Sequence, residues 1–126
     1  MVEQRLHGRS ILVVEDEYLL ADDLNEALRQ AGALVLGPVA NVGEAAALLT
    51  EGADVDAAIL DINLRGEMVF PVADALRERA IPFVFATGYD EWAVPPRFAA
   101  VPRLEKPLTP RKIIATLEPL LIEPPE

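Results

Sequence analysis

Acidic, hydroxyl and amino side chains lie at the ends of predicted strands in this sequence, where together they could bind a metal ion and a phosphoryl group. These residues are Glu15, Asp16, Asp61, Thr87 and Lys106. Three carboxylates brought together raise one another's pKa values unless a cation neutralises them, and all-oxygen ligands favour Mg²⁺ or Mn²⁺. A carboxylate can also attack a phosphoryl group when cations take up the charge of the transferring oxygens. The pattern predicts a divalent metal site in which Asp61 is the candidate nucleophile.

The other two residues suit the phosphorylated product. Lys106 could form an ion pair with it, and the Thr87 hydroxyl could donate a hydrogen bond to one of its oxygens. Each feature alone has an ordinary explanation, such as an acidic pair at a helix N-terminus or a Lys-Pro surface turn. Their occurrence together, in order and each at a strand end, favours the functional interpretation.

Alternating strands and helices must position these side chains. Short apolar, unalternating runs predict buried strands, and apolar residues at helical spacing predict amphipathic helices. The predicted strands cover residues 10–15, 34–39, 57–61, 83–87 and 101–105. Helices are predicted over residues 17–32, 41–51, 69–80 and 109–121, with a further, interrupted one at 90–100. This order predicts an α/β, doubly wound, five-stranded parallel sheet with helices on both faces and a binding crevice beyond the carboxyl ends of its strands.

Length and composition narrow the class of protein. The chain has 126 residues and a net charge of −10, and it contains no cysteine. One domain over residues 10–122 is expected, between tails at 1–9 and 123–126. The charge opposes contact with nucleic acid, and no apolar run approaches the roughly 20 residues that span a membrane. Without disulfides, the expected location is the cytoplasm.

Three motifs resemble the receiver domain of two-component response regulators. They are Ile-Leu-Val-Val-Glu15-Asp16-Glu17, the pair Leu60-Asp61, and Lys106-Pro107. The resemblance extends from Ser10 to about Ile122. It implies the flavodoxin or CheY-like strand order 2-1-3-4-5 and a cis peptide bond before Pro107.

The resemblance also implies the chemistry of a phosphorylation switch. A phosphoryl group would pass from the phosphohistidine of a histidine kinase or phosphotransfer protein to Asp61. Mg²⁺ or Mn²⁺ would be held by Asp16, Asp61 and the backbone carbonyl of Asn63, with Glu15 acting mostly through metal-bound water. Such a protein is a switch and not an enzyme, catalysing only its own phosphorylation and dephosphorylation.

The implied output begins when phosphorylation draws Thr87 inward. This would shift the surface formed by the fourth and fifth predicted strands and helices, which a downstream protein would recognise. Asn63 and Tyr89 would tune the lifetime of the phosphorylated state by shaping water access. Tyr89, Trp92 and Arg103 are assigned to the output surface.

The run Phe85-Ala86-Thr87-Gly88-Tyr89 resembles a subclass of receivers named for its Phe-Ala-Thr-Gly motif, often single-domain. Three features depart from the common pattern. Arg65 stands where many receivers carry proline, and Arg103 stands where many carry a switching Tyr or Phe. Pro95-Pro96 interrupts the fourth predicted helix, which we expect to be short or irregular.

Other interpretations remain open at this stage. The chain could be a receiver module of a hybrid histidine kinase, a phosphate sink, or an interaction module that no longer accepts phosphate. An aspartyl-phosphate hydrolase is a weaker alternative, because such enzymes usually carry a second acid two residues after the nucleophile, where this chain has Asn63. The sequence leaves the oligomeric state open.

Overall fold

A five-stranded parallel sheet forms the centre of the computed structural model, which describes residues 5–87 and 94–121. Its strands are β1 (Ser10–Val14), β2 (Leu34–Val39), β3 (Ala57–Asp61), β6 (Phe83–Thr87) and β7 (Arg103–Glu105). A separate two-stranded hairpin consists of β4 (Asn63–Leu64) and β5 (Glu67–Met68). The order across the main sheet is β2-β1-β3-β6-β7, so the predicted doubly wound sheet is confirmed.

Four α-helices cover the two faces of the sheet within the described residues. They are α1 (Tyr18–Gln30), α2 (Val42–Thr50), α3 (Phe70–Glu78) and α4 (Pro110–Leu121). Leu24 of α1 and Ile113 of α4 pack with Ile59 on one face, whereas Leu49 of α2 and Leu76 of α3 pack with the opposite face. Successive residues of a strand point to opposite sides. Each strand therefore contributes to both cores.

Local sequence explains where the helices begin. Asn41 caps α2, because its Oδ1 accepts a hydrogen bond of 2.8 Å from the backbone N–H of Glu44. In return, the side-chain amide N–H of Asn41 donates a hydrogen bond of 2.7 Å to Glu44 Oε1. This pair of bonds is a variant of the reciprocal capping box. Thr109 caps α4 in the same manner, accepting from Lys112 N at 3.2 Å, with Pro110 at the first helical position.

The described part of the segment between β6 and β7, residues 94–102, contains no α-helix, as its prolines predict. Pro96–Phe98 forms one short 3₁₀ turn, and residues 88–93 lie outside the described part of the chain. Proline lacks the N–H that a continuing helix requires. Phe98 is nonetheless fully buried against Phe70, Phe83 and Phe85, with ring centroids 5.7–5.9 Å away.

Three features of the fold escaped prediction. The β4–β5 hairpin follows β3 directly, and two-residue strands are too short to show a period. Leu6, in the predicted N-terminal tail, is buried in the core formed with α1 and α4, and its N–H donates to Ala31 O at 2.9 Å. The peptide bond between Gly37 and Pro38 is cis, like that between Lys106 and Pro107.

Candidate functional site

Four neighbouring strands bring the predicted site residues to one edge of the sheet. Asp61 and Thr87 are the last residues of β3 and β6, and Glu15 and Lys106 directly follow β1 and β7. The carboxyl ends of parallel strands meet at one edge, which explains this convergence. Asp16 follows Glu15 in the loop before α1.

The carboxylates form a tight and largely buried cluster. One oxygen from each of Glu15, Asp16 and Asp61 lies within 4.8 Å of the others. Glu15 is 3% exposed and Asp61 is 8% exposed. Such a set of hard oxygen donors could hold a divalent cation.

Lys106 is the partly buried counter-charge of this cluster. Its Nζ lies 3.5 Å from Glu15 Oε1 and 3.6 Å from Asp61 Oδ1. A third carboxylate, that of Glu17, lies 3.7 Å away at the rim. One ammonium group therefore faces three carboxylates, and the negative charge remains in excess.

Burial and neighbouring charges shift the pKa values of the site residues. Burial, reinforced by the charge of Asp61, raises the pKa of Glu15 to about 8. Burial also raises the pKa of Asp61, against the opposing effects of Glu15 and Lys106. Burial lowers the pKa of Lys106, but the charges of Glu15 and Asp61 outweigh it, so the net shift is upward. The cluster favours the uptake of a proton or a further cation.

Two buried oxygens of the site lack a hydrogen-bond donor or acceptor among the described residues: Thr87 Oγ1 and Glu15 Oε1. The backbone of Thr87 is fixed, since its carbonyl accepts the Lys106 N–H at 2.8 Å. Glu15 Oε1 lies 3.5 Å from the Lys106 ammonium, an ion-pair contact and not a hydrogen bond. Unpaired buried polar atoms are costly, and at a functional site they indicate a missing partner such as an ion or ligand group.

The sequence interpretation missed two site residues, Arg65 and Glu17. Arg65 Nε lies 3.6 Å from Asp16 Oδ2. The backbone N–H of Glu17 donates to Glu15 Oε2 at 3.1 Å and so orients that carboxylate. The acidic run at residues 15–17 could have indicated Glu17, whereas Arg65 had been noted only as a departure from the family pattern.

Of the remaining predicted residues, the described structure contains Asn63 and Arg103. Asn63 begins β4, and its Oδ1 accepts the Gly66 N–H at 2.6 Å. Arg103 is exposed on β7, where it pairs in register with Phe85. Tyr89 and Trp92 are outside the described residues.

Comparison with known proteins agrees with this architecture. The profile of the response regulator receiver domain matches residues 11–118. The solution structure of SdrG from Sphingomonas melonis Fr1 is 45% identical over 90% of this chain and 97% of its own, with a TM-score of 0.80. The BeF3-activated conformation of SdrG from Pseudomonas melonis Fr1 is 42% identical over 97% of this chain and 100% of its own, with a TM-score of 0.75.

A curated relative is also similar in sequence. Sensory transduction protein LytT of Bacillus cereus is 31% identical over 112 residues, or 86% of this chain. The chain spans 45% of the length of that relative. In the described part of the chain, no helix combines the length and the apolar character needed to cross a membrane.

The fold and the acidic site are those of the receiver class of domains. The chain belongs to the response regulator receiver domain family. The family predicted from the sequence is thereby confirmed, and the similarity to SdrG agrees with the predicted subclass. Its function is that of a receiver in signal transduction.

Proposed function

We propose that Asp61 accepts a phosphoryl group and that this charge switches the state of the domain. The observation that carries the proposal is the position of the Asp61 carboxylate. It ends the central strand β3, is 8% exposed, and lies between Lys106 and two further carboxylates. A nucleophile of a phosphoryl-transfer site needs nearby cationic charge to stabilise the transferring oxygens.

In the proposed reaction, one Asp61 oxygen attacks phosphorus and forms an acyl phosphate. The bond that breaks is the P–N bond of a phosphohistidine, whose electron pair stays on nitrogen. The imidazole leaves neutral, either because its other ring nitrogen already carries a proton or because it takes one from solvent. With acetyl phosphate, the P–O bond breaks and acetate leaves. Water later attacks the acyl phosphate, which releases inorganic phosphate and restores the carboxylate.

The residues present fit a divalent cation. The oxygen-only donor set, the excess negative charge and the unpaired Glu15 Oε1 support this assignment. We assign the cation to Asp16, Asp61 and the Asn63 carbonyl, with Glu15 acting mostly through bound water. Mg²⁺, or Mn²⁺, would there neutralise charge on the transferring oxygens.

Lys106 and Thr87 are assigned to the phosphorylated product. The Lys106 ammonium lies 3.6 Å from Asp61, close enough to pair with a phosphoryl oxygen after a small movement. The Thr87 hydroxyl is the buried donor without an acceptor in the described structure, and a phosphoryl oxygen would supply one. Movement of Thr87 would alter β6 and the segment that follows it.

Further residues and partners are assigned roles in the lifetime and the output of the phosphorylated state. Asn63 and Tyr89 are proposed to tune the lifetime of the acyl phosphate, and Tyr89, Trp92 and Arg103 to form part of the output surface. A histidine kinase or phosphotransfer protein is the proposed donor, and a protein is the proposed downstream partner. We place the domain at residues 10–122, extended at its N-terminus to include Leu6, which is buried in its core, and we place its action in the cytoplasm.

The test is Mg²⁺-dependent labelling by acetyl phosphate. The native chain should be labelled only in the presence of the cation, and Asp61→Asn should not be labelled. Asp74→Asn makes the same change at an exposed position of α3 and should be labelled normally. Equal labelling of Asp61→Asn and the native chain would refute the assignment.

A further inference from the structure

Two cations divide the carboxylates of the site between them. Lys106 contacts Glu15 and Asp61 and is largely enclosed by the protein. The ion pair that the described structure gives Asp16 is with Arg65, whose Nε lies 3.6 Å from Asp16 Oδ2. A different residue, Arg65, therefore compensates the charge of Asp16, and it does so from the solvent-exposed side, which we call the mouth of the site.

The side chains of the two cations differ in their exposure to solvent. The Lys106 side chain is 19% exposed, whereas the Arg65 side chain is 83% exposed, although it pairs with an Asp16 side chain that is only 10% exposed. An exposed guanidinium gives up little when it moves, so Arg65 can be replaced by another cation that neutralises Asp16. Lys106 exchanges less readily, because its side chain is largely enclosed beside Glu15 and Asp61.

The backbone that carries Arg65 is held in place. Arg65 and Gly66 form the two-residue turn between β4 and β5, both with positive φ, at 54° and 92°. The Gly66 N–H donates to Asn63 Oδ1 at 2.6 Å, and Leu64 is buried in the core. The turn is therefore fixed to the domain, and only the guanidinium end is free to move.

Arginine is an unfavourable choice at this turn. Turns with positive φ at both central residues favour Asn, Asp or Gly at the first of them. Non-glycine residues held at positive φ cost free energy, and such positions concentrate at functional sites. The strained backbone and the ion pair are independent observations on the same residue.

We propose that Arg65 is an exchangeable counter-ion that connects occupation of the metal site with recruitment of the phosphoryl donor. Arg65 pairs with Asp16 while that carboxylate is free. When Asp16 ligates a divalent cation, the guanidinium is released at the mouth of the site, where it contacts the phosphoryl oxygens of the donor. The second half of this proposal rests on the proposed phosphoryl transfer to Asp61, and the first half rests only on the assigned cation site.

The physical need for such a residue follows from the charge. The chain carries a net charge of −10, and an incoming phosphoryl group is also anionic. A guanidinium presents paired N–H donors that match phosphoryl oxygens. Arg65 would therefore act as a positioning residue for the donor.

The first arm of the test measures Mg²⁺ affinity by titration calorimetry, without any phosphodonor. Arg65→Gln should bind Mg²⁺ about twofold to fivefold more tightly than the native chain, since an exposed competitor has been removed. Arg65→Lys keeps the charge and should remain close to native. Arg29→Gln, in the last turn of α1, makes the same charge change at an exposed position and should also remain native-like.

The second arm measures the rate of acetyl phosphate labelling against donor concentration, at saturating Mg²⁺. Arg65→Gln should raise the half-saturating concentration about twofold to tenfold with little change in the maximal rate, and the difference should shrink as salt is added. Arg65→Lys should restore much of the native value.

The possible results distinguish the two halves of the proposal. Unchanged Mg²⁺ affinity in Arg65→Gln would overturn the counter-ion assignment, and so would an Arg65→Lys variant that behaves like Arg65→Gln. Tighter Mg²⁺ binding with an unaltered donor dependence would overturn the recruitment half. Absence of labelling in every variant would overturn that half together with the proposed function, while the calorimetric arm would still decide the first half.

Discussion

Lys106 is the residue whose positive charge contacts both buried carboxylates of the site. Its ammonium lies 3.5 Å from Glu15 and 3.6 Å from Asp61. Without it, two buried carboxylates would face each other with no compensating charge. Removing one partner of a buried ionic group leaves the other uncompensated, which is more costly than losing a surface pair.

We therefore predict that Lys106→Met lowers the free energy of unfolding of the metal-free protein by about 1–3 kcal/mol near pH 8. The loss should be smaller near pH 5, because the raised pKa of Glu15 lets that residue take up a proton instead. Urea titrations at the two pH values measure both quantities. Lys112→Met, at an exposed position of α4, is the control. Equal losses at both pH values would contradict the electrostatic explanation.

Thr87 carries a hydroxyl that the described structure leaves without a hydrogen-bond partner. Thr87→Val removes that hydroxyl with little change of shape, so we predict stability within about 1 kcal/mol of native, or higher. The same variant should lose much of the response of its amide resonances to beryllofluoride, which mimics the phosphoryl group. Thr87→Ser keeps the hydroxyl and should respond. A full response in Thr87→Val would show that the hydroxyl is not part of the switch.

Among the elements, the 3₁₀ turn at Pro96–Phe98 is held by apolar packing more than by its ion pair. Phe98 is fully buried and contacts the rings of Phe70, Phe83 and Phe85. Arg97 makes two hydrogen bonds to Asp74, at 2.9 and 3.0 Å, but both side chains are exposed. Exposed pairs contribute little, whereas a buried aromatic ring contributes both its apolar area and its packing.

The corresponding prediction compares two truncations one residue apart. Phe98→Ala should lower the free energy of unfolding by about 3–5 kcal/mol, since it leaves a cavity in the core. Arg97→Ala should cause a far smaller loss. Chemical denaturation of both variants measures the difference. A loss in Arg97→Ala comparable to that in Phe98→Ala would mean that the ion pair anchors the turn.

For the whole molecule, the site connects metal binding with stability and pH. The pKa of Glu15 is raised from 4.5 to about 8, so its stabilising contribution is fully present below the ordinary value and is lost as pH rises through about 8. Bound metal replaces the proton and removes this dependence.

We predict that the melting temperature of the metal-free protein falls as pH is raised from about 6 to about 8.5, and that saturating Mg²⁺ raises it more at the higher pH. Thermal unfolding with and without Mg²⁺ or a chelator measures this. Glu15→Gln removes the titrating group and should flatten the metal-free profile. A profile of unchanged slope in Glu15→Gln would assign the dependence to another group.

The sequence by itself determined the fold and most of the site residues. Buried strands at 57–61 and 83–87 have continuous apolar runs, and parallel topology brings their carboxyl ends to one edge, so Asp61 and Thr87 had to lie near each other. The caps at Asn41 and Thr109 could likewise be predicted, because capping involves residues three apart.

Only the tertiary structure decided which charges meet and how deeply they are buried. The pairing of Arg65 with Asp16 joins residues far apart in the chain through a hairpin too short to show a period, so no local pattern predicts it. Leu6 and Phe98 lie in segments without regular periodicity, and only the packed cores show that both are buried. The raised pKa of Glu15 depends on desolvation, which is a property of the folded surroundings and not of neighbouring residues in the sequence.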